Sequence, residues 1–395
     1  MKKILTSTDY LIFLNMLLIG SDIFSFRILG STIRVVQFLL LLTSFFLVLK
    51  NKYRVTNVFS MILFIIVNMI STMISYDKMS SLLYVLWTIF NYLFVFCLFY
   101  SWARERENEF IYNLWRKTFL LQGFFIIIQF ALELVGIKIL NSQNYFGIPR
   151  PALWFYEPSY LATYFIIFFV ISFYMFINTE EKIYRNDTIL SIIFLVFITS
   201  STGFIGIFIG FLICILFTKQ KILKKSKNIF KAVIIIIICS IVTYKLYPKI
   251  FDVFIGRLFN EGLIISSGNR MIGWKEAFNV FKENMLFGVG PDSYQTYTGS
   301  LIPPTNVTLE MLSYIGLIGL ITFIIFIVSV IRTSFKKSRK IDINNLMFSK
   351  AIFISFLVFL IVLQFNQNYL RLYMWMQLGI IAGLNNFKRK EEINE

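Results

Sequence analysis

The sequence predicts an all-α polytopic integral membrane protein, with about twelve transmembrane helices and a large outward loop between helices nine and ten. Three observations carry that prediction. The 395 residues are 57% hydrophobic and only 15% charged, whereas a soluble domain has roughly 25% charged residues to coat its surface. Apolar runs of near-spanning length recur along the whole chain. Lysines and arginines crowd into every second loop between them, the distribution of a cytoplasmic face.

The runs fall at about 10–26, 33–49, 55–76, 79–102, 117–135, 160–177, 188–201, 203–218, 229–247, 307–331, 346–363 and 371–386. Met1-Lys2-Lys3 stands ahead of the first run as in a signal peptide. No small-residue cleavage site follows and further spans do, so that run is read as a retained helix. The pair flanking Ser200-Ser201-Thr202-Gly203 is short. It reads either as a tight helical hairpin or as one broken re-entrant element. Keeping both members places the lysine-rich 219–231 loop inside with the other basic loops. Both termini then face the cytoplasm, and the single membrane domain covers 1–395. Two outward loops are long: a first one at 136–159, and a large one at 247–306 containing an interfacial helix.

The net charge of +17 is an orientation signal rather than a nucleic-acid footprint, because most of it lies in the inward loops. The chain has no histidine, which removes the commonest base and metal ligand together. No metal and no cofactor are expected. Cys97, Cys214 and Cys239 all lie in apolar runs and are not expected to form disulfides.

Positive charge on the outward side works against orientation, so some of it is expected to serve function. Arg150 stands between Pro149 and Pro151, whose rings stiffen the backbone around it. Arg270 follows Gly268-Asn269 and is expected to open a helix. A rigidly held guanidinium suits phosphate oxygens, which its planar fork binds in pairs; a headgroup anchor is the plainer alternative. Glu157, in Trp154-Phe155-Tyr156-Glu157-Pro158-Ser159, is placed to act as a base, to orient a sugar hydroxyl or to pair with an arginine. Asp292 beside Gly290-Pro291 reads as a turn residue. Trp274, Ala277, Phe278 and Phe281 share one helical face, which suits either a helix lying on lipid or one capping the bundle.

At these residues the chain resembles the O-antigen ligase and polysaccharide polymerase family, the Wzy-type enzymes. Arg150 followed by Glu157-Pro158-Ser159 is similar to the family's first outward-loop pattern. Gly268-Asn269-Arg270, then Trp274, Ala277 and Phe287-Gly288-Val289-Gly290, is similar to its large-loop arginine block and glycine turn. Asn306, nine residues, then Gly316-Leu317-Ile318-Gly319 resembles the ligase pattern of His-Asn, nine residues, Gly-x-x-Gly. Thr305 stands where ligases keep the histidine, a departure that favours a repeat-unit polymerase or a different base.

The resemblance implies a metal-independent glycosyltransferase of the bacterial cytoplasmic membrane. It would join undecaprenyl-diphosphate-linked repeat units of capsule, exopolysaccharide or O-antigen on the outer face. Its partners would be the lipid-linked donor and acceptor, the bilayer, a chain-length regulator and a flippase, with no nucleic acid. Glu157 and Arg270 are then the expected catalytic residues, with Arg150 and Arg270 on the diphosphate. Arg150, Arg257, Arg371 and Asn306 are the expected substrate contacts. A ligase of the same family is the nearest alternative, and a lipid-linked oligosaccharide flippase is the alternative from another class. A flippase should carry charges along a path through its spans, whereas this chain gathers them in its two outward loops.

Overall fold

A computed structural model describes residues 5–28, 31–145, 148–218, 245, 248, 261–300, 302–336, 343–367 and 369–384. Helix α1 (Ser7–Leu18) starts in a capping box, where Thr6 and Asp9 satisfy each other's backbone N–H groups. The hairpin β1 (Ser25–Ile28) and β2 (Ser31–Arg34) leads into α2 (Val35–Leu49) and then α3 (Val58–Met73). Asp77 accepts the Ser80 N–H and caps α4 (Lys78–Phe90). That helix continues through a π-helical stretch, Asn91–Phe96, into α5 (Cys97–Ala103). Next come α6 (Asn108–Leu134), a second hairpin of β3 (Asn141–Tyr145) and β4 (Ile148–Leu153), α7 (Pro158–Thr179), α8 (Lys182–Ile198) and α9 (Ser201–Phe217). The rest comprises α10 (Glu261–Glu283), α11 (Tyr294–Thr298), α12 (Val307–Lys336), α13 (Ile343–Val362) and α14 (Leu372–Gly383).

Each of eleven of the twelve apolar runs contains a helix, though that at 10–26 is helical only as far as Leu18; the run at 229–247 lies outside the described residues apart from Lys245. Among the described residues, five helices are long and apolar enough to cross a membrane: Lys78–Ala103, Asn108–Leu134, Pro158–Thr179, Val307–Ser334 and Leu346–Phe365. Helix α7 is apolar on every side and buried almost throughout, between α8, α9 and α13. Small residues let α9 approach it, since a methyl group on Gly206 would overlap Ile166. Between α8 and α9, Thr199 takes a left-handed conformation (φ 50°), so this segment is a tight helical hairpin.

The structure amends the sequence reading in three places. The all-α expectation omits the two antiparallel hairpins, one pairing Phe26 with Ile33 and the other Gln143 with Arg150. Pro149 and Pro151 fit the second because a two-stranded ribbon consists only of edges. Arg270 does not open a helix: α10 runs on through Gly268-Asn269 from Glu261. The buried face of α10 is Gly273, Ala277 and Val280, which turns towards α12, while Phe278 is exposed under the Lys282 ammonium.

Helix α12 is broken at Gly316, whose φ of 67° and ψ of −171° are not helical. The segment after α10 docks into the break. Val289 and Gly290 donate to the carbonyls of Ser313 and Tyr314, and Leu317 donates to Met285. Carbonyls that the break frees are thereby satisfied, and Ser71 of α3 bonds both Phe287 and Tyr314 oxygens. A methyl group on Gly316 would overlap the Leu286 backbone, so only glycine meets both demands.

Candidate active site

At the end of the bundle that carries the loops read as outward, five segments enclose a cavity of about 320 Å³, within the range of small-ligand sites. The chain after α1 contributes Gly20 and Asp22, and the start of α2 contributes Arg34 and Gln37. Helix α4 contributes Met79, Tyr84 and Trp87, with Asn91 from the π stretch. The turn before α11 brings Asp292, and the start of α14 brings Arg371 and Tyr373.

Asp22 organises the charges. One carboxylate oxygen accepts Arg34 Nε at 2.6 Å, and the other accepts Arg371 Nη1 at 3.1 Å and the Tyr156 N–H at 3.0 Å. Each of these side chains is held in turn. The Arg34 N–H is bonded to Gln37 at 2.7 Å. The Arg371 guanidinium lies 3.5 Å from the centre of the Tyr160 ring, a cation–π contact. Asn91 of the π stretch donates to the Leu370 carbonyl at 2.8 Å and so fixes the residue before Arg371. Two buried polar atoms of the cavity wall, Arg371 Nε and Tyr373 Oη, have no hydrogen-bond partner among the described residues. A buried donor left unmet costs about 1–3 kcal/mol, and an oxygen-rich ligand would recover that cost.

Opposite stands Asp292, in a turn with Pro291 in second position and Asp292 itself at φ 60° in third, closed by Ser293 N–H to Gly290 O at 3.1 Å. The turn is seated against the α3–α4 corner. Ser293 Oγ joins the hydroxyls of Ser75 and Ser81, and Ser81 bonds the Pro291 carbonyl. Gly290, at φ 105°, has no room for a methyl group beside Ser75. Asp292 reaches solvent on one side, yet the protein around its carboxyl pushes it up to about 6, with the negative charge of Asp77 adding to the rise. Behind the cavity, Tyr84 donates to the buried carboxylate of Glu310 at 3.1 Å.

Of the residues expected to serve the site, Arg371 lines this cavity, and Asp292, read as a turn residue, both makes the turn and lines it. Glu157 stands at the start of α7, half-buried, accepting from Ser159 and acting electrostatically on Tyr160 and Tyr373 of the Arg371 neighbourhood. Arg150 lies elsewhere: its guanidinium bonds the Thr199 carbonyl at 3.2 Å and Gln143 at 3.0 Å, tying the second hairpin to the α8–α9 corner. Arg270 lies within α10 and is half-buried. Asn306 caps α12 by accepting the Leu309 N–H at 3.0 Å and donates to the Gln364 carbonyl at 3.1 Å. Beside it the Thr305 hydroxyl is buried without a hydrogen-bond partner among the described residues. Arg257 lies outside the described residues. The motifs pass over Asp22, Arg34 and Glu310; a lone carboxylate just beyond an apolar run, facing an outward arginine, is the signal for the first two.

Residues 188–324, about a third of the chain, match the family model described as O-Antigen ligase. The match covers the glycine turn, Glu310 and the break in α12, and agrees with the resemblance carried by the motifs. It supports a membrane glycosyl-transferring enzyme of the O-antigen ligase and polymerase type. No curated protein matches the chain.

Proposed function

We propose that the chain is a repeat-unit polymerase, working on the outer face of the bacterial cytoplasmic membrane with both termini in the cytoplasm. It transfers a glycan from undecaprenyl diphosphate to the terminal sugar hydroxyl of a second lipid-linked repeat unit. The observation that carries this reading is the pairing, in one cavity, of two arginines anchored on Asp22 with a carboxyl poised near 6.

Arg34 and Arg371 hold the diphosphate, in place of the Arg150–Arg270 pair that the motifs favour. The acceptor oxygen attacks the anomeric carbon of the donor. The bond from that carbon to the diphosphate breaks, and its electrons leave with the diphosphate. The acceptor proton passes to Asp292, which is ionised at neutral pH. Glu157 orients the acceptor hydroxyl at the rim. Guanidinium N–H groups already aimed at the leaving group stabilise charge as it develops, with no reorganisation at the moment of reaction. Arg150 and Arg270 meet the glycan portions along the two outer loops. The flippase reading has less support, because the cavity charges gather at one end of the bundle.

The test is reconstitution of the purified protein in liposomes with its lipid-diphosphate repeat unit, with and without a chelator. A polymer ladder that survives chelation and disappears with Arg371→Ala supports the proposal. Transfer of one glycan to a non-repeat acceptor, with no ladder, would make the chain a ligase, the reading that the description of the matched family favours. Movement of the intact lipid to the other leaflet without transfer would make it a flippase.

A further inference from the structure

Asp22 and the arginines it bridges are each held by other means. The Asp22 N–H donates to the Gly20 carbonyl at 2.8 Å, and the Ile23 N–H donates to the Trp154 carbonyl at 3.2 Å. Gly20 itself is pressed so closely on the Phe155 ring that a methyl group has no room there. Arg371 rests on the Tyr160 ring and is steadied by Asn91 through the Leu370 carbonyl. Arg34 sits where β2 runs directly into α2, its N–H bonded to Gln37. What the bridge adds is therefore chiefly a negative charge, set against both guanidinium groups.

That charge opposes an anionic ligand. The charged residues lining the cavity are Asp22, Asp292, Arg34 and Arg371, so cations and carboxylates balance. Asp22 takes Nε of Arg34 and Nη1 of Arg371, while Nε of Arg371 has no partner among the described residues. An anion that accepts from both arginines must lie against the carboxylate already bonded to them. Like charges a few Å apart in a partly buried site change an affinity by about tenfold or more.

The proposed reaction alters the charge of its ligand. In the donor, the diphosphate is esterified at both ends, to the lipid and to the glycan. When the bond's electrons leave with the diphosphate, the glycan end becomes a free phosphate and gains a further negative charge, kept above about pH 6. A pair of arginines without a counter-ion would then hold the product more tightly than the substrate. A carboxylate between them opposes the fully charged product more than the partly charged transition state, and so favours release over retention.

We propose that Asp22 is a positioning residue that drives product release, competing with the lipid diphosphate for Arg34 and Arg371 once the glycan has been transferred. The proposal rests on the assignment of the two arginines to the diphosphate under the proposed function. Asp22 touches no reacting atom; it acts by reclaiming the guanidinium N–H groups. A purely structural clamp predicts the opposite sign, since its loss would loosen the arginines and weaken the diphosphate.

The experiment uses the full chain in phosphatidylcholine nanodiscs. Binding is measured for undecaprenyl diphosphate and for the same lipid capped by a methyl ester, which stands in for the doubly esterified donor. Wild type should bind the two with similar affinity. Asp22→Asn, which keeps the side chain's size and an acceptor oxygen, should bind the uncapped lipid about tenfold more tightly than wild type does. With the lipid-linked repeat unit, the same variant should show a burst of first transfers followed by a slower steady state, with a lower KM. A folded Asp22→Asn that binds the uncapped lipid no more tightly, while Arg371→Ala abolishes binding, would overturn the release role and leave the proposed function standing. Should the variant not fold, wild type decides: an uncapped lipid bound about tenfold more tightly than the capped one would equally overturn it. No binding of either lipid to the wild-type protein would overturn both readings.

Discussion

Replacing Arg371 by alanine removes three things at once: an ion pair to Asp22 at 3.1 Å, a stack on Tyr160 at 3.5 Å and a buried guanidinium in the cavity wall. Breaking a buried ion pair commonly costs about 3–5 kcal/mol because a charge is left uncompensated. Asp22 is not left alone here, since Arg34 Nε and the Tyr156 N–H still bond it. The loss of stability is therefore expected below that range, at roughly 1–3 kcal/mol including the cation–π contact. The catalytic loss has a separate origin. One charge-assisted contact made only in the transition state is worth about 1.5–3 kcal/mol, or roughly tenfold to a hundredfold in rate. Arg371→Lys separates the two, because it keeps the charge but loses the planar fork and the stack. The assay is the initial rate of polymer formation in liposomes at saturating donor, beside the melting temperature of each variant in detergent. The expected order is wild type, then lysine, then alanine in rate. An alanine variant with a wild-type rate and a folded melting curve would refute the role of Arg371.

Four further outcomes follow from the same geometry. Asp292 is protonated below about pH 6 and ionised above it, so a rate that needs it as a base should rise with pH through about 6, and Asp292→Asn should abolish that limb of the pH–rate profile. Asp77→Asn removes a like charge that raises the Asp292 carboxyl and should move the limb to lower pH; an unmoved limb would detach it from Asp292. Gly316→Ala forces a side chain into a positive-φ extended conformation that is essentially confined to glycine, at about 1–3 kcal/mol, and into the Leu286 backbone, so the yield of folded protein on size exclusion should fall. Arg116→Ala removes the cation paired with the fully buried Asp187 and leaves it the neutral Tyr112 hydroxyl, which donates to it at 2.6 Å; a loss of about 3 kcal/mol should show as a lower melting temperature, and an unchanged one would refute the pair's structural role.

How much was legible in the sequence depended on the length over which a signal repeats. Spanning helices show themselves because some twenty residues must all be apolar, and the basic loops check their order. Strands of four to six residues, such as Ser25–Ile28 and Ser31–Arg34, repeat too briefly for alternation to stand out between apolar helices. Helix α6 begins at Asn108, well before its apolar run, because its first turns carry Glu109, Arg116 and Lys117 among the buried Ile111, Tyr112 and Trp115. The cavity was the least legible feature. Asp22, Arg34, Asp292 and Arg371 come from four separate segments, and each is a single polar residue with nothing local to mark its partners. Of these, only Arg371 stood among the expected contacts. Glu310 carried a usable sign, a carboxylate inside an apolar run, but its Tyr84 partner lies 226 residues away.

The glycines of the motifs connect a pattern remote from the charges to the proposed site. Gly290 lets the turn press against Ser75, and Gly316 opens α12 so that Ser313 and Tyr314 can receive Val289 and Gly290. The two positions are complementary: the break supplies unpaired carbonyls, and the turn supplies the N–H groups that satisfy them. What the joint delivers is the position of two carboxylates. Asp292 follows the turn directly, and Glu310 lies less than two helical turns before the break, bonded to the Tyr84 that lines the cavity. The arginines arrive by other routes, through the Asp22 bridge and the π stretch. The family pattern at 287–319 therefore encodes the carboxylate wall of the cavity, while the cationic wall is set by residues outside the matched region 188–324.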